Sequence, residues 1–158
     1  MKSEAPVPAA TPIGLWCLKT MLLMLGISAL GPGILMMSEP SGKNLRFPEG
    51  SLAGSPFADY FIPGLLLTVF MGLLPLAAWL ALRGKPDCAF CQRLNPFPSR
   101  HWAWTLALTS GLALMIWIAV QVLMVPYFFL QPLLFGWGAG IVSLCFAPGV
   151  RAFYQRPF

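Results

Sequence analysis

Charge is what this chain has least of: Asp, Glu, Lys and Arg make up 9% of its 158 residues, against roughly 25% in ordinary soluble domains. The residues AVILMFWYC account for 58%. A water-soluble fold of that composition would have to hide almost all of its apolar surface, and a short chain cannot, because a large share of any small fold stays exposed. Lipid removes the contradiction. Acidic residues number only five, and there is one histidine. Proton relays and ion pathways need acidic or histidine side chains at membrane depth, so a pump or coupled carrier is disfavoured. A lone histidine also excludes a bis-histidine haem site within one chain. No HExxH, GxSxG or P-loop pattern occurs, which leaves no catalytic residue to name and leans the reading toward a non-enzymatic protein. The ten Lys and Arg residues are scattered among loops instead of sharing one periodic face, which argues against a nucleic-acid partner.

What is present is a set of long apolar stretches. Spanning hydrocarbon takes about 20 mostly apolar residues per helix. Four such spans are read, at about 13–37, 60–82, 102–125 and 130–148, in one integral membrane domain covering 1–158. The fold class is therefore all-α, a membrane four-helix bundle. The stretch after the Pro- and Ala-rich start is too long for a signal peptide and reads as an uncleaved first helix. Gly31, Pro32 and Gly33 predict a kink or an end near 31–33. Pro75 predicts a kink inside the second span, and Pro126 a stop after the third. Lys19, near the start of the first span, reads as a side chain whose stem reaches back to the interface.

Positive charge sets the orientation. Lys2, Arg83, Lys85, Arg93, Arg100, Arg151 and Arg156 fall on the side of the two chain ends and the 83–101 loop, against Lys43 and Arg46 in the 38–59 loop. Both termini and 83–101 are thus expected in the cytoplasm and 38–59 outside. Glu39, Glu49 and Asp59 outside, with Glu4 and Asp87 inside, run the same way. Trp16, Trp102 and Trp104 near the inner interface, and Tyr60 and Tyr127 near the outer one, suit an aromatic belt.

Cys88 and Cys91 form CxxC in the basic loop, the one feature with a specific chemical reading. Three accounts stay open. As a redox pair, one thiolate attacks the other's mixed disulfide, although Pro96 and Pro98 argue against the long helix such motifs usually begin. As half of a zinc site, the pair supplies two tetrahedral ligands and needs two more, from His101 or from a second copy of the chain. As plain cytosolic thiols, they sit reduced in a turn. Cys17 and Cys145 read as small apolar packing residues, and His101 as an amphipathic anchor beside Trp102.

Two other places are candidates for contact. Gly136 and Gly140 make GxxxG in the fourth span, with Ala29/Gly33 and Ala107/Gly111 repeating the small-xxx-small spacing, so they suit internal packing or a partner helix. Phe57, Asp59 and Tyr60 lie at the mouth of the second span, either as a helix entry capped by Ser55 or Asp59 or as a partner or ligand loop. Thr68, Thr105, Thr109, Ser110, Gln121, Gln131 and Ser143 are expected to join helices by hydrogen bonds. The partners implied are the lipid bilayer and a membrane protein or a second copy.

The arrangement SEPSGKNLRFPEG, then SPFADYFIPGLLL, a third span ending near Gln121 and a fourth opening at LQPLL resembles a family of small uncharacterised bacterial four-span membrane proteins. The resemblance covers about residues 20–145 and is most specific over 40–65. It implies a multi-pass protein of the bacterial inner membrane and brings no catalytic residues. The CxxC loop is not part of that pattern.

Overall fold

The structure is a computed structural model that describes residues 12–48 and 50–155. Lys2, Glu4, Glu49 and Arg156, which enter the charge comparison, lie outside the described residues. The fold is all-helical, with no strand among the described residues. Helix α1 is Pro12–Ser38, α2 is Phe61–Gly84, α3 is Ala89–Arg93, α4 is Trp102–Met124, α5 is Leu130–Phe146 and α6 is Pro148–Phe153. Three of them, α1, α2 and α4, are long and apolar enough to cross a membrane. With 17 residues, α5 is about 25 Å long at 1.5 Å per residue, shorter than a typical hydrocarbon core of about 30 Å.

Prolines place several of these boundaries. Val125, before Pro126, is extended at φ −126° and ψ 151° and ends α4; Ala147, before Pro148, does the same for α5 at ψ 131°. A following proline ring disfavours the helical conformation of the residue ahead of it. Pro75 has a different effect. The stretch Leu67–Leu73 just ahead of it is wound as a π-helix, and the Leu74 N–H reaches back five residues to Val69 O. The wider turn absorbs the disturbance from a ring that cannot donate to the preceding turn. Pro32 neither ends nor interrupts α1, which runs on to Ser38. Its ring is exposed on the outer face, while the next residue, Gly33, is buried against α2.

The helices form a bundle in which α1 lies beside α2 and α5, and α4 beside α2 and α5. Glycine sets the spacing between partners. A Cβ at Gly33 would strike the Thr68 hydroxyl and sit 3.1 Å from Gly64 O; one at Gly26 would meet Leu76, and one at Gly72 would meet Leu30. At the α4–α5 crossing the two backbones touch directly. A Cβ at Gly111 would lie 3.0 Å from Gly138 O, and one at Gly138 would lie 2.9 Å from Gly111 O. Close backbone approach of this kind is how helices associate where lipid removes the hydrophobic drive between them.

Leu18, Leu22, Leu25 and Ala29 line the inner face of α1 and meet Met71, Ala78 and Leu82 of α2, Ala107 and Leu114 of α4 and Ile141 of α5 in one core. The outward faces are equally apolar, with Ile27, Leu80, Ile116 and Leu133 exposed and Leu123 85% exposed. Only about a third of each long apolar helix is buried within the protein. Faces that apolar are stable against lipid and costly against water, so the chain is a membrane protein.

Three of the hydroxyls stay within their own helices. Ser28, Thr68 and Ser110 each donate back to a carbonyl of their own helix, at Leu25, Gly64 and Leu106. A short side chain finds that acceptor before it can reach a neighbour. Indoles make the crossings instead: Trp104 Nε1 donates to Cys145 O at 2.9 Å, and Trp137 Nε1 to Met21 O at 3.3 Å. Trp104 is thus buried between α4 and α5 and is not an interfacial side chain.

Candidate functional site

At the end of the bundle where α2 stops, Lys85 takes a left-handed conformation (φ 45°) and its N–H closes onto Ala81 O. Pro86 and Asp87 follow, and Cys88 caps α3 with its sulfur, which accepts the Cys91 N–H at 3.2 Å. The two cysteines are joined as a disulfide, with Cα atoms 5.2 Å apart. The helix has five residues and ends before Pro96, as the prolines of this loop require.

A set of hydrogen bonds holds this turn to the start of α4. Gln92 Oε1 accepts the Trp102 N–H at 3.0 Å, and Gln92 Nε2 donates to Arg100 O at 2.8 Å. Asn95 Nδ2 donates to Arg100 O, and Asn95 Oδ1 accepts the Thr105 hydroxyl at 2.6 Å. On the other side of the pair, Trp102 Nε1 donates to Pro86 O at 3.1 Å. Beside the disulfide opens a cleft of about 420 Å³ lined by Asp87, Cys88, Ala89, Gln92 and Arg93.

Bonded to each other, Cys88 and Cys91 offer no thiolate to a metal. Among the described residues no group of three or more His, Cys, Asp or Glu side chains comes together. His101, the expected third ligand, is used otherwise: it is buried, caps α4 through Nδ1, which accepts the Ala103 N–H at 3.2 Å, and stacks on Trp102. The interfacial anchor read from its position is a helix cap. Cys145 is buried as a packing residue, whereas Cys17 is exposed on the outer face of α1.

The C-terminal segment completes this end of the molecule, and sequence reasoning passed over it. Val150 and Tyr154, one helical turn apart on α6 and just beyond it, are fully buried, and the Tyr154 hydroxyl donates to Leu82 O at 3.1 Å. Burial pushes the phenol above its ordinary range. The His101 N–H donates to Tyr154 O, Arg100 Nη1 donates to Arg151 O, and the Lys85 ammonium lies 3.3 Å above the Phe153 ring. Burial, and secondarily the charge of Lys19, lowers the Lys85 ammonium; burial, and then Arg151, lowers the Arg100 guanidinium. Pro148 at the first helical position, with an apolar pair four residues apart, was the available signal.

At the opposite end, Asp59 Oδ1 accepts the Phe61 N–H at 2.9 Å from one residue outside the Tyr60 N-cap, which makes no side-chain cap bond, while Ser55 serves its own loop. Tyr60 stacks on Phe47 at 4.6 Å and donates its N–H to Pro40 O. Gly42 (φ 79°) lies beneath that ring, where a Cβ would come within 2.7 Å of it. Of the three residues marked in this loop, Phe57 and Asp59 line a cleft of about 520 Å³ with Pro40, Pro56, Phe61 and Ile62; Tyr60 does not. On α5 the helix contact is made by Gly138. Gly140 meets only the end of the Met21 side chain, and Gly136 has nothing within 4 Å of where its Cβ would be. The chain matches no protein-family model, no curated protein and no solved structure.

Proposed function

We propose that this is a four-span protein of the bacterial inner membrane, one of the small bacterial four-span proteins it resembles, with both chain ends and the 83–101 loop in the cytoplasm. It serves as a non-enzymatic accessory or interaction subunit of a membrane assembly. The observation that carries the reading is Gly136: half of a GxxxG face on α5 is left open toward lipid, flanked by exposed Leu133 and Phe135, where a helix from another membrane protein or a second copy can approach closely. Lys85, Arg93, Arg100 and Arg151 at one end, against Lys43 and Arg46 at the other, support the orientation.

The test pairs two substitutions. Gly136→Leu should leave unfolding of the purified protein within about 0.5 kcal/mol of wild type while abolishing cross-linking to its partner or to itself in native membranes. Gly138→Leu, which drives a side chain into Gly111, should unfold the bundle. If Gly136→Leu changes neither folding nor cross-linking, the face is ordinary lipid-facing surface. Orientation is read from Lys43→Cys and Gln155→Cys in a chain whose own cysteines are replaced. An impermeant maleimide should label position 43 in intact cells and position 155 only after permeabilisation.

A second reading, a thiol redox module, is favoured by the bond between Cys88 and Cys91. On the basic side of the membrane the pair meets a reducing compartment, where disulfides are transient and exchange-active.

A further inference from the structure

We infer that the Cys88–Cys91 disulfide accepts electrons from an external dithiol, with the Cys88 sulfur as the atom attacked; the inference rests on the thiol redox reading and gives it a direction. The bond joins two residues of one short helix and links no two elements of the bundle. Closing so short a ring constrains the unfolded chain much less than closing a long loop would, so stabilisation is not its main effect.

The cleft separates the two cysteines, both of which are partly exposed. Cys88 is part of the wall of the cleft formed with Asp87, Ala89, Gln92 and Arg93, whereas Cys91 is not. An incoming thiolate must reach the sulfur it attacks, and Arg93 gives the cleft a positive charge to set against the acid of Asp87. Attack on Cys88 Sγ forms a mixed disulfide there, breaks the bond to Cys91 and releases Cys91 as a thiolate, which takes a proton from water. The second thiolate of the external dithiol then attacks the first sulfur of that same dithiol, forming its disulfide and expelling Cys88 as a thiolate. Two electrons pass from the dithiol to this chain. The Cys91 N–H, 3.2 Å from Cys88 Sγ, stabilises the charge on Cys88 when that sulfur is expelled in the second step.

The frame around the pair suits a reversible exchange. Gln92 and Trp102 tie both flanks of α3 to the first turn of α4, so the two thiols stay close after reduction and can close again.

The test uses the full chain, oxidised, in lipid nanodiscs. A reduced CxxC-type protein whose second cysteine is serine is added, the reaction is quenched in acid, free thiols are alkylated and the peptides are mapped. The expected result is the probe on Cys88 and alkyl on Cys91. An intact protein dithiol and dithiothreitol are run in parallel, and the one that reduces the pair at the lower concentration identifies the source. The probe on Cys91 would overturn the direction and leave the redox reading standing. No adduct, with reduction only after the protein is denatured, would overturn both.

Discussion

The two ends of the bundle are built by different means. At the Lys85 end, residues far apart in the chain are bonded: Tyr154 to Leu82, the His101 N–H to Tyr154 O and Arg100 to Arg151 O. At the other end the bonds are short-range, as in Ser51 to Pro48, Ser55 to Leu52 and Phe61 to Asp59, and the Tyr60 N–H to Pro40 O is the longer tie across that loop. Local bonds shape a loop without fastening it, whereas bonds between distant segments oppose separation of the elements themselves. The first end should therefore unfold with the bundle, and the second should open on its own at lower cost.

Substitutions can break or sharpen that contrast. The largest effect is expected from Tyr154→Ala, which removes a fully buried ring and its bond to Leu82 O. It should cost about 3 kcal/mol, measured by denaturant unfolding in micelles; a loss under about 1 kcal/mol would mean that the C-terminal segment merely rests on the bundle. Gln92→Ala leaves the Trp102 N–H and a share of the Arg100 carbonyl without partners and should cost about 1–2 kcal/mol by the same measurement. At the other end, Asp59→Ala removes the acceptor of the Phe61 N–H at the start of α2 and should cost only about 0.5–1 kcal/mol, with faster amide exchange confined to 59–63. Exchange spreading through α4 would erase the distinction between the ends.

The smallest effect concerns Glu39, whose carboxyl is held below its ordinary range by hydrogen bonds from Ser41, first from the side chain and then from the backbone. Its favourable contribution is present above the ordinary carboxylate pKa and fades as pH falls through the lowered value. Ser41→Ala should move the Glu39 midpoint upward, as followed by NMR of its carboxyl carbon, with little change in global unfolding.

Much of the helical framework was legible from composition and proline. The extended residues before Pro126 and Pro148 follow from local sterics. Other features were not legible. GxxxG spacing pointed to Gly136 and Gly140, yet Gly138 faces Gly111, because spacing along a helix does not say which way that helix is rotated. Pro32 and Pro75 carry the same local signal, but one lies in an unbroken α-helix and the other follows a π stretch. The Thr68 and Ser110 hydroxyls, expected to bridge helices, bond within their own, while Trp104 and Trp137 make bridges. Cys88 and Cys91 announced a chemistry by their spacing; their bond and the cleft that Cys88 lines depend on how the loop folds back on α4.

By itself the sequence determined the solvent and the kind of secondary structure. Charge scarcity and apolar length are properties of the chain read one residue after another, and hydrocarbon leaves such stretches no way to satisfy their amides except as helices. Tertiary structure alone decided which faces meet, which cysteine lines the cleft and that α6 closes one end. Each of those depends on contacts between residues far apart in the chain, as Leu82 and Tyr154 are, and on rotations about helix axes that no spacing in a sequence encodes.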